Sequence, residues 1–401
     1  MSTGKEGKKG WPRPLGKGVG AIMMRSILEI ARRPLLWLVM FIFPIGFFFF
    51  VGDMFYEGLP TRIPAAIIDH DGSTLSRQVT QTLGTMQLVD LKESLHSYSE
   101  GRRAVQEGRI YGFFLIPENF QADLLAGRKP EITFYTNMVY YVPGTLLFKT
   151  FKATAIYTKA GVAATAVQSV GADPSQLSSL MMPINIQARG IGNPSLNYGI
   201  YLGNSFIPGI LQLLIFLTTA FTLGQEIKYH GSRRLMQMAD GSILKALFGK
   251  IFPQTVIWWI TALFMVSYLY GWCHYPMYGS WFWLIVGEML FVVACQCFAI
   301  TAFGLLPNLR LALSVCALLG ILNFSLAAYS FPVPSMYPAL GIFSYIFPAR
   351  YNFLIYANIA LNGLPIYYSR VWFACLVAFQ LLPLLVMFRI KRAFLKPVYC
   401  P

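Results

Sequence analysis

The side chains that most often do chemistry are few in this chain and scattered along it. Its four histidines, His70, His96, His230 and His274, stand far apart. There is no H-E-x-x-H zinc motif, no G-x-S-x-G nucleophile turn and no G-x-x-x-x-G-K-[ST] loop to cradle the phosphates of ATP. Cys273, Cys295, Cys297, Cys316 and Cys375 lie in or beside apolar runs, and Cys400 comes near the end. Cys295 and Cys297 are two apart, so they point to different faces of a helix. With no histidine or acid beside them they read as small packing residues, and no structural disulfide is implied. Asp69-x-Asp71-Gly72 begins like a calcium loop but lacks the later glutamate, which leaves turn chemistry. No catalytic residue, bound metal or cofactor is expected on this chain. Two acids call for another explanation: Glu288 interrupts an apolar run, and Glu226 closes one.

The elements that must position those two acids are membrane helices. Hydrophobic residues make up 56% of the chain and charged ones 12%, a balance that no soluble domain of this length tolerates on its surface. A spanning helix needs about 20 apolar residues, because unpaired backbone groups are too costly in hydrocarbon. Six runs qualify: Leu35 to Val51, Ser205 to Leu223, Ile251 to Tyr270, Trp281 to Leu306, Leu311 to Ser330 and Val371 to Phe388. Ala339 to Leu361 is apolar but broken by Pro348, Arg350 and Asn352, and reads as a re-entrant or interfacial pair of short helices. Ahead of the first run, Met23, Ile27 and Ile30 share one helical face while Arg25, Glu29, Arg32 and Arg33 share the other. That spacing predicts an amphipathic helix lying on the inner leaflet. No small-x-small cleavage site follows the first run, so an uncleaved anchor is expected.

Lysines and arginines cluster before the first span, after the second and after the last. Short basic loops stay on the cytoplasmic side, so both termini are expected in the cytoplasm. The net charge of +15 then serves topology and contact with membrane lipids, and nucleic acid is not an expected partner. The expected organisation is a basic tail and amphipathic helix over 1–33, a first span over 34–52, an extracytoplasmic α/β domain over 53–203, five further helices over 204–390 and a cytoplasmic tail over 391–401. The fold class is a polytopic α-helical membrane protein of about six spans with an inserted α/β domain. Within the insert, Ile63 to Ile68, Met86 to Lys92, Ile110 to Ile116 and Ile132 to Thr136 read as strands. Ser73 can cap a helix through Leu83, Ser99 to Glu107 reads as a short helix, and Gly144 to Val170 turns helical.

The segment Gly224-Gln225-Glu226-Ile227-Lys228-Tyr229-His230-Gly231-Ser232, then Leu235, then Gly249-Lys250-x-x-Pro253, resembles the cytoplasmic segment of bacterial ABC-2 type permeases. In the insert, Asp69-x-Asp71-Gly72-Ser73-x-x-Ser76-Arg77, Gly108-x-Ile110-x-Gly112, Ile116-Pro117-x-x-Phe120 and Leu124-Leu125-x-Gly127 are similar to the branch with a large external domain between the first two spans. Phe331-Pro332-x-x-x-Met336-x-Pro338 resembles the start of that family's external re-entrant helices, here 331–368. The chain departs from the family in carrying Ile227-Lys228-Tyr229-His230 where a more charged run is common.

The resemblance implies the membrane subunit of an ATP-driven exporter in a bacterial inner membrane. Two permeases, identical or paralogous, would work with separate ATPase subunits that hold ATP and magnesium, and a periplasmic adaptor is a further conceivable partner. The coupling segment 224–250 would transmit the ATPase motion through Glu226, Gly231, Ser232, Arg233, Arg234 and Leu235, with Leu235 offered to a partner cleft. Phe206, Phe216, Phe221, Glu288, Phe324, Tyr329 and Phe331 would line a route for hydrophobic, drug-like, lipid-like or glycan cargo, unless the aromatic rings simply pack the core. A non-transporting envelope protein, such as a secretion-machine or phage-receptor component, is the alternative reading.

Overall fold

The computed structural model describes residues 16–56, 58, 60–126, 128, 130–140, 142–154, 193, 197–329 and 332–397. Contacts divide the chain into two units, Leu59–Arg189 and the remainder on either side of it.

Among the described residues of the larger unit, six helices are long and apolar enough to cross a membrane: Pro34–Met54, Gly199–Lys228, Ile243–Trp272, Trp281–Leu305, Leu309–Leu326 and Ile366–Leu395. We call them the first to sixth spans. Four of them extend past an apolar run at both ends, whereas the fourth stops one residue before Leu306 and the fifth four residues before Ser330. Pro34 sits in the first turn of the first span, where its missing N–H costs nothing. Asn308 caps the fifth span, its side chain accepting from the Arg310 N–H at 2.9 Å. The second and fifth spans lie against each other along their length, as three glycines show. A Cβ on Gly209 would come within 2.7 Å of the Phe324 ring, one on Gly224 within 2.6 Å of Leu309, and one on Gly320 against Leu213. Small residues at such crossings let helices approach where no hydrophobic effect drives them together.

Between the fifth and sixth spans the chain forms the short helices Pro338–Phe343 and Pro348–Tyr356, the second running on into a π-helical turn, Ala357–Leu361. The broken apolar stretch is therefore a pair of short helices. The second is buried through Ala349, Tyr351, Asn352, Ile355 and Tyr356. Its N-terminus is capped from the second span: Gln212 Oε1 accepts from the Ala349 N–H at 2.8 Å.

The smaller unit carries a four-stranded sheet made of β1 Ile63–Asp69, β2 Val89–Leu95, β3 Gly112–Ile116 and β4 Thr133–Thr136. The order is β2-β1-β3-β4, with β1 parallel to both neighbours and β4 antiparallel to β3. Alternation along β1 serves both faces. Ile63, Ala65 and Ile67 join Val79, Leu83, Phe114, Leu147 and Phe151 on one side, while Ala66 and Ile68 join Ala104, Ile110 and Phe113 on the other. Ser73 and Ser97 cap the helices Thr74–Gly84 and Tyr98–Gln106, accepting from the N–H groups of Ser76 at 3.1 Å and Glu100 at 3.3 Å. β2 begins three residues later than its apolar run, since Met86 and Leu88 pack into the core from the turn before it. The helix expected from Gly144 is present over 142–154, and its continuation lies outside the described residues. At the calcium-like motif, Asp69 Oδ1 accepts from the N–H groups of Asp71 and Gly72, both at 3.0 Å, and Oδ2 accepts from the Ser76 hydroxyl at 2.7 Å. The aspartate thus closes its own turn.

Candidate functional site

The chemistry of the larger unit centres on Glu226, at the end of the second span. The N-terminal helix Val19–Ala31 packs on the start of the third span, where Gly249 leaves room for it: a Cβ there would lie 2.8 Å from Ile22. The Ser26 hydroxyl donates to the Lys250 carbonyl at 2.7 Å, and the Gly18 N–H donates to the Met238 carbonyl at 2.9 Å. This docking carries Arg25 and Glu29 inward to meet Glu226 and Lys250. Arg25 Nη2 donates to both Glu226 oxygens, at 2.9 and 2.8 Å, and its Nε lies 2.8 Å from Glu29. Lys250 Nζ donates to Glu226 at 2.5 Å and to Glu29. Two cations and two anions thus form one charge-neutral cluster. Glu226 is 2% exposed and Arg25 5%. Ions buried this deeply hold together only as a set, because each costs several kcal/mol to desolvate and is offset by its partners. A small pocket opens beside the cluster, lined in part by Arg33, Thr222, Gln225 and Gln254.

Gly231 is the next part of the site. A Cβ at this position would fall 2.5 Å from Glu226 Oε2 and 3.1 Å from Arg25 Nη2, so the absent side chain is what lets the cluster close. The short helix Ser232–Met238 starts there, and it is tied to the end of the sixth span. Ser232 Oγ donates to the Phe394 carbonyl at 3.0 Å and Arg233 Nε to the Leu395 carbonyl at 3.2 Å. Glu226, Gly231, Ser232 and Arg233 are therefore brought together with the N-terminal helix and three spans.

On the N-terminal helix Arg25 and Glu29 turn toward buried partners, while Met24, Ile27 and Arg32 are exposed. One expectation about this region is corrected. Leu235 is fully buried and packed with Met236 and Met238, so it is not offered to a partner. Ser232 is buried too. The exposed residues around the turn are Lys228, Tyr229, His230, Arg233 and Gln237.

Of the residues expected to line a route, Phe206 and Phe324 are brought together. Phe216 is fully buried and stacks on Phe298 of the fourth span at 4.9 Å, which makes it core packing. Phe221 is partly buried against the same core. Phe206 is 40% exposed and pairs with Phe324 at 5.2 Å, linking the second and fifth spans. Tyr329 packs edge-on to Phe353 at 5.1 Å and shares a hydrogen bond with Asn323 at 3.4 Å. Burial pushes its hydroxyl well above the usual tyrosine range, so it stays protonated. Phe331 lies outside the described residues. Glu288 is 4% exposed and accepts from Asn352 Nδ2 at 3.0 Å. The second and fifth spans meet at Gly209, Gly224 and Gly320.

Sequence reasoning singled out Glu226 but missed its partners Arg25, Glu29 and Lys250, and it missed the Gln212 cap. The available signal was electrostatic: two acids and two bases beside apolar runs, with the i,i+4 pair Arg25 and Glu29 presenting opposite charges from one helical face.

Compared with known proteins, residues 34–389 match the family model of ABC-2 family transporter proteins. A stretch of 118 residues is 29% identical to the linearmycin resistance permease protein LnrN of Bacillus subtilis (strain 168). That stretch covers 29% of this chain and 30% of the relative, so the likeness spans under a third of each.

Proposed function

Because the chain belongs to the ABC-2 family of transporter proteins, we propose that it is the membrane-spanning subunit of an exporter driven by separate ATPase subunits. The chain is a multi-pass membrane protein with no P-loop of its own. The observation that carries the coupling role is the Glu226 cluster. One buried carboxylate ties the N-terminal helix and the third span to the end of the second, directly beneath the turn that starts Ser232–Met238. A push on that turn reaches all of them as a rigid body, since a buried ion set moves together or breaks. The ATPase contact falls on the exposed Tyr229, His230, Arg233 and Gln237, where a charged rim can steer docking.

A second permease copy or paralogue completes the route. The exposed apolar row Leu311, Leu318, Ile321 and Leu322 of the fifth span, beside the exposed Phe206, supports a route built between copies rather than inside one. The relative's printed role in linearmycin resistance supports small-molecule cargo, and the aromatic pair Phe206 and Phe324 suits hydrophobic, drug-like or lipid-like molecules. The proposed location is a bacterial inner membrane with both termini cytoplasmic, a reading that the basic loops support.

The test is reconstitution of the purified chain with its co-purifying ATPase, reading substrate-stimulated ATP hydrolysis and export in the same vesicles. Gly231→Val drives a side chain into the Glu226 carboxylate. It should leave insertion intact while uncoupling hydrolysis from export. Wild-type coupling in that variant moves the contact elsewhere, and absence of any ATPase partner refutes the exporter reading.

A further inference from the structure

We propose that Glu288 and Asn352 form a neutral carboxyl–carboxamide pair, with a proton held on the glutamate, that latches the buried helix Pro348–Tyr356 to the fourth span. The inference rests on hydrogen-bond accounting and does not depend on the transport reading. Asn352 Nδ2 donates to Glu288 Oε1 at 3.0 Å, and the two residues are 1% and 4% exposed. That bond leaves two buried atoms without a partner, Glu288 Oε2 and Asn352 Oδ1. Both are acceptors if the acid is ionised, and a buried acceptor left bare costs the full desolvation of the group. In the proposed pair a hydrogen on Oε2 donates to Asn352 Oδ1 and closes the second bond of an eight-membered acid–amide ring. Rotating the amide does not remove the requirement, because its oxygen would then face Oε1 at the same distance and that oxygen would need the hydrogen instead.

The surrounding groups supply no substitute for the proton. The Tyr270 hydroxyl of the third span donates to Asn204 Oδ1 at 3.2 Å, and the Cys295 thiol of the fourth to Gln212 Oε1 at 3.9 Å. On the buried helix, the Tyr356 hydroxyl donates to the Ile200 carbonyl at 3.2 Å. Arg350 is two residues from Asn352 and so on another face. Its guanidinium reaches the Ala327 carbonyl at 3.5 Å and lies 5.0 Å from the Tyr345 ring centre. Among the described residues, no salt bridge includes Glu288. Close packing makes the pair a latch: a Cβ on the adjacent Gly287 would stand 3.1 Å from Ile355 of the same buried helix, so span and helix are already in van der Waals contact. Loss of the proton would set a carboxylate oxygen against the amide oxygen and release the helix.

The direct test is infrared difference spectroscopy of the purified chain in lipid vesicles at neutral pH. The spectrum of the wild type minus that of Glu288→Gln should contain the carbonyl stretch of a protonated, hydrogen-bonded carboxylic acid. Glu288→Gln preserves both bonds of the ring, so its melting temperature should change by less than about 2 °C, whereas Asn352→Leu should lower it by roughly 5 °C or more. In Asn352→Leu the acid band should also move to the position of an unbonded carboxyl, a result that does not require the glutamine variant. Absence of a carboxylic acid band in the wild type overturns the proposal. So does a glutamine variant as destabilised as Asn352→Leu, since an ionised glutamate would then be the native group.

Discussion

Replacing Glu226 by alanine should undock the N-terminal helix without unfolding the spans. In the native chain Arg25 and Lys250 share two carboxylates, and their contacts to Glu226 are 2.5 to 2.9 Å long in a site almost closed to water. The substitution leaves both cations facing Glu29 alone, with one positive charge uncompensated and buried. Breaking a buried ion set in this way costs about 3–5 kcal/mol. At about 1.4 kcal/mol per tenfold, the undocked population should rise from roughly a hundredfold to a few thousandfold. Amide hydrogen exchange of the chain in lipid nanodiscs reads that population directly. Residues 19–31 should lose protection by at least about a hundredfold, while the core of the fourth span around Phe291 and Ala299 stays protected. A charge-balanced comparison separates electrostatics from lost packing. Glu226→Met combined with Lys250→Met leaves the neutral pair Arg25 and Glu29, and should cost less than Glu226→Ala despite changing two residues. Unchanged exchange over 19–31 in Glu226→Ala would refute the reasoning, as would a double variant worse than the single one.

Gln212→Leu should strip the cap from the buried helix and expose the Ala349 N–H to an apolar surrounding, at a cost of about 1–3 kcal/mol, read as a lower melting temperature of the intact chain. Phe114→Ala, in the centre of the sheet and edge-on to Phe151 at 5.5 Å, should cost about 3–5 kcal/mol. Protease sensitivity of β1 and β3 in the full chain should rise accordingly, and a silent substitution would mean that this core is not what holds the smaller unit together.

The spans were legible because a bilayer leaves so few solutions: a run of apolar residues from Trp281 to Leu306 has little else to become. The strands of the smaller unit were legible for a similar reason, as Ile63, Ala65 and Ile67 alternate with Ala66 and Ile68 and both faces are apolar. Ser73 announced its helix through a local bond. The side a polar stripe faces was not legible. Amphipathicity shows that Arg25 and Glu29 share a face, but it cannot show whether that face meets water or a glutamate 201 residues away. The same ambiguity hid the packing of Phe216, since an aromatic ring in a span looks alike whether it lines a path or fills a core. Leu235 was misread because a three-residue pattern after a turn says nothing about what the turn folds back against.

The cluster also has a history in time. Arg25 is synthesised 201 residues before Glu226 and 225 before Lys250, so it leaves the ribosome in a basic segment with Glu29 as its one cluster acid. At about 5–20 residues per second, that interval lasts on the order of 10–40 s. Throughout it, Arg25 can act with its neighbours as a signal that orients the first span. Only when the third span has been made does the charge find its permanent partners and drop out of the field seen by the membrane. Arg25 thus meets the membrane before it meets Glu226, and a variant that weakens the finished cluster need not disturb how the chain is inserted.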